Sequence, residues 1–363
     1  RILLPNNASF PNVGANIGWG LTVGKFSNAA YADIAFTVHQ ISNVPFGGVN
    51  TTGIIWVKGG AALNNPATRD ANGSLVMPNG NDWVYIPVNG IGNAAWSMPA
   101  VMASGDLNRD GYAEIIASFG TYDGSNGRVL IYYGSAANGP KPHQLTVPTA
   151  NNLTCAVGQA PGVPNQCPPQ IFNGPFGFNY IQYGQDIGKP TDLNGDSYPD
   201  LMVGMPGLNA NASAGYVRNG EVIIYYSSDR GLSPSPYTRV RPQFPIFSMV
   251  GLGMAAADFN NDSPGRPDLA IGSPGQGNIA GTYRHGRVSI FGNSVANPIL
   301  PGSVLTQANI TGRTPHMPSL RASTLFSRAQ IVGDLNGDGY DDVIAPIRAG
   351  KNVDLLPFVY SGG

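Results

Sequence analysis

Charge, cysteine and long apolar runs are scarce in this 363-residue chain. Only 11% of its residues are charged and the formal net charge is −1, so nothing electrostatic favours nucleic acid or an anionic membrane surface as partner. No run of 18 apolar residues occurs, which excludes a membrane-spanning helix. Long helical stretches of Ala, Leu, Glu and Lys are missing too. The two cysteines, Cys155 and Cys167, stand in a Pro/Asn/Gly-rich stretch. That setting suits a small disulfide-closed surface loop in an oxidising compartment, with two free thiols as the alternative.

What the chain has instead is 49 glycines and 31 prolines alongside 42% hydrophobic residues, the balance of many turns between short strands. Regular apolar runs at 129–133 and 221–226 argue against disorder. The expectation is one all-β domain over residues 1–363. The chain opens on Arg1 and not on Met, which fits a processed mature form or a fragment. Asn7, Asn50, Asn72, Asn152, Asn211 and Asn309 each begin Asn-X-Ser/Thr. They are candidate glycosylation sites in a secretory pathway, although an Asn-rich chain also produces such triplets by chance.

Internal repetition dominates the sequence. Four segments align: Gly105-Asp-Leu-Asn-Arg-Asp-Gly-Tyr-Ala-Glu114, Thr191-Asp-Leu-Asn-Gly-Asp-Ser-Tyr-Pro-Asp200, Ala257-Asp-Phe-Asn-Asn-Asp262 with Asp268 beyond it, and Gly333-Asp-Leu-Asn-Gly-Asp-Gly-Tyr-Asp-Asp342. A worn fifth copy runs from Gly24 to Asp33, and every copy leads straight into a short apolar strand. Downstream comes a small or Pro-containing turn, as in Gly204-Met-Pro206, then a strand opening with Gly: Gly127, Gly220 and Gly286. Strand, acidic loop, strand, turn, strand and a variable outer segment make one four-stranded propeller blade. The units approximate to residues 14–60, 92–135, 181–227, 247–292 and 325–363, with insertions at 61–91, 136–180 and 293–324. The N-terminal Arg1-Ile-Leu-Leu4 is a candidate closing strand for the last blade.

Aromatic-small pairs precede several loops: Trp19-Gly20, Trp96-Ser97, Tyr183-Gly184 and Phe326-Ser327, with no clear one in the fourth unit. With these pairs, the pattern resembles the FG-GAP repeats of the integrin α N-terminal β-propeller. The resemblance covers nearly the whole chain. It implies an extracellular, secreted or cell-surface module that binds a protein or matrix ligand through loops on one face.

The spacing Asp-X-Asn-X-Asp-Gly-X-X-Asp places side-chain oxygens at loop positions 1, 3, 5 and 9 and a carbonyl at position 7, which suits Ca²⁺ with its six to eight oxygen ligands. Candidate ligands are Asp106, Asn108, Asp110, Tyr112 (carbonyl) and Glu114; Asp192, Asn194, Asp196, Tyr198 (carbonyl) and Asp200; and Asp334, Asn336, Asp338, Tyr340 (carbonyl) and Asp342. In the remaining loop Asp258, Asn260 and Asp262 are in register, but two inserted residues and two prolines precede Asp268, which makes a distorted or weaker fourth site. The first unit carries Lys25 and Ala29 in place of carboxylates. It is expected to bind no metal, its Lys ammonium standing in for the cation. A β-strand follows each loop where an EF-hand needs a helix, so an EF-hand is excluded. Asx turns are the alternative reading of a single loop; four loops in register favour calcium.

Enzymatic readings are poor at this level. Few carboxylates lie outside the loops, the four histidines lack metal-type spacing, and no Gly-X-Ser-X-Gly elbow occurs. The expectation is therefore a binding or adhesion module and not an enzyme. The alternatives are lectin-like glycan binding and a structural subunit of an extracellular filament or surface layer that self-assembles.

Overall fold

The apolar run after each acidic loop becomes the second strand of a sheet, and in the second, third and fourth blades it is buried on both faces because another sheet packs against each side. The computed structural model describes residues 2–3, 16–27, 29–41, 51–60, 75–76, 83–87, 101–120, 127–134, 170–173, 182–208, 219–241, 248–262, 265–274, 287–310, 324–326, 331–349, 356–360 and 362. These are strands, turns and one 3-10 turn at Gln307–Asn309, with no α-helix among the described residues.

A two-stranded parallel pair joins β1 (Ile2–Leu3) to β5 (Leu75–Val76). The first blade orders β2 (Asn16–Gly24), β3 (Asp33–Ile41), β4 (Thr51–Val57) and β6 (Trp83–Pro87) as an antiparallel sheet. In the second blade β7 (Val101–Gly105), β8 (Glu114–Phe119), β9 (Arg128–Tyr132) and β10 (Gln170–Asn173) pair in sequence order. The third holds β11 (Leu201–Met205), β12 (Glu221–Ser228) and β13 (Gly231–Val240), to which β17 (Val304–Leu305) adds in parallel. The fourth has β14 (Met254–Ala257), β15 (Asp268–Gly272) and β16 (Val288–Phe291). In the fifth, β18 (Thr324–Phe326), β19 (Ile331–Gly333) and β21 (Leu356–Tyr360) all pair with β20 (Asp342–Ala349). The fold is thus all-β and propeller-type, with five stacked blades among the described residues.

Period-two alternation supplies both faces of each blade. In β12, Ile223 and Tyr225 join the apolar seam with the second blade, while Val222, Ile224 and Tyr226 join the seam with the fourth. In β8, Ile115, Ala117 and Phe119 face the first blade and Ile116 faces the third. The tyrosine pairs Tyr132/Tyr133 and Tyr225/Tyr226 each split between two seams, all four buried, so they are core residues and offer no stacking platform.

Loop position 2 plugs these seams. Phe26, Leu107, Leu193 and Phe259 lie respectively in the first-to-second, second-to-third, third-to-fourth and fourth-to-fifth seams. Leu335, the same position of the fifth blade, is 53% exposed. Among the described residues, no equivalent seam surrounds this plug. The expected closing strand is also absent from the fifth sheet: Ile2–Leu3 pairs with Leu75–Val76 instead, a partner only three-dimensional pairing could reveal. Four strands, β5, β6, β10 and β17, come from segments expected as insertions.

Glycines set the spacing between blades. Gly127 bridges Tyr183 and Gly220 bridges Val250, each in parallel and across a seam. A β-carbon on Gly127 would lie 1.9 Å from the Tyr183 carbonyl oxygen, and one on Gly220 would lie 2.3 Å from that of Val250. Val250-Gly251 consequently occupies the place of Tyr183-Gly184. It is the fourth unit's missing pair, hidden in the sequence because an aliphatic residue replaces the aromatic.

Candidate metal centre

Positions 4 and 6 of the acidic loops turn left-handed, both in the second, third and fifth blades and position 4 in the fourth, whose position 6 lies outside the described residues. Position 4 has φ of +56° at Arg109, +79° at Gly195, +52° at Asn261 and +77° at Gly337. Position 6 has +90° at Gly111, +78° at Ser197 and +90° at Gly339. In the sequence, the signals for these turns are Gly111 and Gly339 at position 6 and Gly195, Gly337 and the αL-tolerant Asn261 at position 4. This double reversal brings successive amides around the carboxylates. Asp106 accepts from the amides of Asp110 (3.1 Å) and Gly111 (3.0 Å), Asp192 from Gly195 and Ser197 (both 2.7 Å), and Asp334 from Gly337 (2.6 Å) and Gly339 (3.0 Å). The position-7 amides of Tyr112, Tyr198 and Tyr340 donate to Asp110, Asp196 and Asp338 at 2.8–2.9 Å. At position 3, Asn108, Asn194, Asn260 and Asn336 each donate from Nδ2 to the position-5 carboxylate at 2.8–3.1 Å. The atoms that metal ligation would need are therefore the same ones that make these Asx-type hydrogen bonds.

Position 9 behaves differently. Glu114, Asp200, Asp268 and Asp342 are buried to 0–1% exposure, as is Asp33 of the worn loop. One oxygen receives the amide of position 2: Leu107 to Glu114 (2.5 Å), Leu193 to Asp200 (2.9 Å) and Leu335 to Asp342 (2.9 Å). The other receives an amide just after or near the end of the third strand: Ser227 for Asp200 (3.0 Å), Asn293 for Asp268 (2.8 Å) and Gly362 for Asp342 (3.1 Å). Asp33 takes the Gly59 amide in the same way at 2.6 Å. Position 9 is thus first a fastener between loop and sheet, a role that spacing alone does not disclose.

Glu114 keeps one oxygen free of that fastening. Its Oε1 is buried outside hydrogen-bond geometry, although the Gly134 amide lies close enough to lower the pKa of the carboxyl, and Asp33 Oδ2 of the worn loop is orphaned in the same way. Carboxylate oxygens of Asp106, Asp110 and Glu114 lie within 4.8 Å of one another, the one such acidic group among the described residues. No lysine or arginine forms an ion pair with this group among the described residues; the two ion pairs there both belong to Glu221, with Arg239 and Arg241. Burial pushes Glu114 well above the usual carboxylate range, and the Asp110 and Asp106 charges add to the shift. Asp110 is also raised, by burial and then by Asp106, against the lowering effect of its hydrogen bonds. Burial carries Asp200 up to about 7 and Asp268 to about 6. Three converging carboxylates with an orphaned buried oxygen fit a hard divalent cation bound by oxygen.

Adjacent loops touch across the blades. The Ala113 amide donates to the Lys25 carbonyl at 2.8 Å, and the Asp341 amide to the Asp258 carbonyl at 3.2 Å, with the Asp258 amide returning a bond to Asp341 Oδ2 at 3.1 Å. Lys25 Nζ sits 5.2 Å from the ring centre of Tyr112. The expected substitution of its ammonium for a cation is corrected accordingly: the side chain reaches over the next blade's loop, where an aromatic face receives it. Cys155, Cys167 and the sequons Asn7, Asn50, Asn72, Asn152 and Asn211 lie outside the described residues. Asn309 is exposed, its Oδ1 accepting the Thr306 amide at 2.8 Å.

Comparison with known proteins bears on the repeats. The family model described as FG-GAP repeat matches residues 98–132. Phosphatidylinositol-glycan-specific phospholipase D of Homo sapiens is 30% identical over 195 residues, 51% of this chain and 21% of that protein. Integrin alpha-IIb of Mus musculus is 32% identical over 133 residues, 35% and 12% of the two chains, and integrin alpha-8 of Homo sapiens is 24% identical over 190 residues, 52% and 16%. The chain thus spans about a fifth or less of the length of these curated relatives. The expectation that the chain is not an enzyme is overturned, since relatives named as a phospholipase D share about half of it. Its basis was the lack of catalytic motifs among the repeats, and a repeat scaffold lacking such motifs is compatible with membership in an enzyme's chain. The matched half assigns no catalytic residue.

Proposed function

From a chain that carries the FG-GAP repeat and folds as stacked propeller blades, we infer an extracellular recognition or adhesion module, stabilised by calcium and binding a protein or matrix ligand through its face loops. The observation that carries the calcium part is the Asp106, Asp110 and Glu114 group with its unpartnered Oε1. Asn108 and the Tyr112 carbonyl complete the ligand set there. By register, the loops at 192–200 and 334–342 form two further sites, and the 258–268 loop a fourth, weaker one. Bound Ca²⁺ supplies positive charge that offsets the repulsion among carboxylates and stiffens the loop face. The recognition part rests on the similarity to integrin α chains. Binding residues concentrate on loops carried by rigid scaffolds, so the long segments at 61–91, 136–180 and 293–324 are the places for ligand contact.

Thermal melting with calcium and then with excess EGTA tests the first part. Free calcium at a hundred times the Kd of one site adds about 2.7 kcal/mol to stability. A melting temperature indifferent to chelator overturns the calcium reading. The recognition part is tested by binding to immobilised extracellular-matrix proteins, with and without calcium. Binding only on a glycan array, or a concentration-dependent oligomer in size exclusion without matrix binding, would count against it.

A further inference from the structure

The fourth-blade loop is two residues longer than the others before Asp268, and Arg266 of this stretch brings a cation to the loop next door. Arg266 lies against Gly195 in the 192–200 loop: a β-carbon placed on Gly195 would stand 3.2 Å from both Nε and Nη2 and 3.3 Å from the guanidinium carbon. Gly195, with φ of +79°, is therefore the residue type that leaves room for the guanidinium. Arg266 Nη1 is buried without a hydrogen-bond partner, and Arg266 forms no ion pair among the described residues. Asn293 holds this arrangement from beneath. Fully buried, it donates from Nδ2 to the Leu193 carbonyl at 2.7 Å and to the Pro267 carbonyl at 3.1 Å, tying the two loops together next to Arg266. On the opposite flank the Arg109 guanidinium stands 5.9 Å from the Tyr198 ring centre. The 192–200 loop thus has an arginine from each neighbouring blade.

We propose that Arg266 is a resident cation of its neighbour's metal loop: it supports the 192–200 loop in the absence of metal and lowers that loop's affinity for calcium. The inference rests on the calcium reading above. A fixed guanidinium beside the loop favours its carboxylates while they are unoccupied and repels an incoming divalent ion. It also explains why the 258–268 loop departs from the common spacing, since a loop of standard length lacks the two residues that carry the side chain across.

Calcium titration calorimetry on the full chain tests this with Arg266→Ala and Arg266→Lys, each with and without Asp196→Asn. The Asp196→Asn change identifies the binding step that belongs to the 192–200 loop. In Arg266→Ala that step should tighten roughly three- to tenfold, the scale of a unit charge acting on a divalent ion across several ångströms of well-solvated surface. The gain should shrink in high salt, and Arg266→Lys should stay near the wild-type affinity. The metal-free melting temperature of Arg266→Ala should fall, whereas the calcium-saturated one should hold. An unchanged or weakened step in Arg266→Ala overturns the proposal, as does an unchanged metal-free melting temperature. If Asp196→Asn removes no calcium from the wild type, it is the calcium reading of this loop that fails; a lower metal-free melting temperature in Arg266→Ala would still support the guanidinium's structural role.

Discussion

The 25–33 loop of the first blade and the 106–114 loop of the second occupy the same place in adjacent sheets and differ in the residues that could take a metal ion. Both bury an apolar residue at position 2, Phe26 and Leu107, and both bury a carboxylate at position 9, Asp33 and Glu114. Positions 1 and 5 separate them, since Lys25 and Ala29 stand where Asp106 and Asp110 stand. A loop without metal-type carboxylates keeps its fastener. Position 9 therefore belongs to the fold before it belongs to any ion.

The largest expected effect tests this division directly. Asp33→Ala strands the part-buried Gly59 amide and should cost about 1–3 kcal/mol, the same in calcium and in chelator. Glu114→Ala strands the Leu107 amide at similar cost in chelator, and in calcium it should lose a further ~2.7 kcal/mol as the site empties at hundredfold excess over Kd. Denaturant melts of both variants in both buffers measure the difference. Equal calcium dependence in the two would break the comparison.

Grafting runs the comparison in reverse. Lys25→Asp, Ser27→Asn, Ala29→Asp and Ala30→Gly together rebuild the metal pattern on a blade that already supplies Asp33. Equilibrium dialysis should then count one more bound calcium, with a gain in calcium-saturated stability of up to about 2.7 kcal/mol at hundredfold excess. No added calcium would mean that register alone does not make a site.

Much of this difference was legible in the sequence, and the reasons for the rest are physical. Register, the following strands and the glycines that open third strands follow from local chemistry, so they appear in the letters. The outer strands β6 and β10 and the added β17 do not, because their pairing is decided by partners far along the chain. Val250-Gly251 escaped detection because burial at a seam asks for an apolar residue and not for an aromatic one. The position-9 clasp escaped because a carboxylate that receives two amides and one that binds a metal are spelled identically. The parallel pairing of Ile2–Leu3 with Leu75–Val76 involves segments too short to carry a pattern.

Protons should compete with calcium at the fasteners. Asp200 and Asp268, raised by burial to about 7 and about 6, titrate near 4 in the unfolded chain. Between about pH 4 and pH 7 the metal-free fold holds protons that the unfolded chain releases, so its stability should fall as pH rises through that window. A drop in melting temperature on the order of 5 °C between pH 5 and pH 8 in chelator is expected. Calcium binds the ionised form, so in saturating calcium the slope should vanish or reverse. A chelated protein that gains stability across the same window would contradict the burial argument.

The smallest effect concerns the contact between the two loops. Lys25 Nζ over the Tyr112 ring is an exposed cation–π pair, worth about 0.5–1 kcal/mol. Because Tyr112 also offers its carbonyl as a candidate ligand, Lys25→Ala bears on both loops at once. If the ammonium only stabilises the seam, the loss should be the same in calcium and in chelator. If its charge also opposes metal entry, calcium-saturated stability should fall less than metal-free stability, and a double-mutant cycle with Tyr112→Leu separates the two terms. The first outcome would make the worn loop a purely mechanical neighbour, whereas the second would extend to the first blade the electrostatic influence that Arg266 exerts on the third.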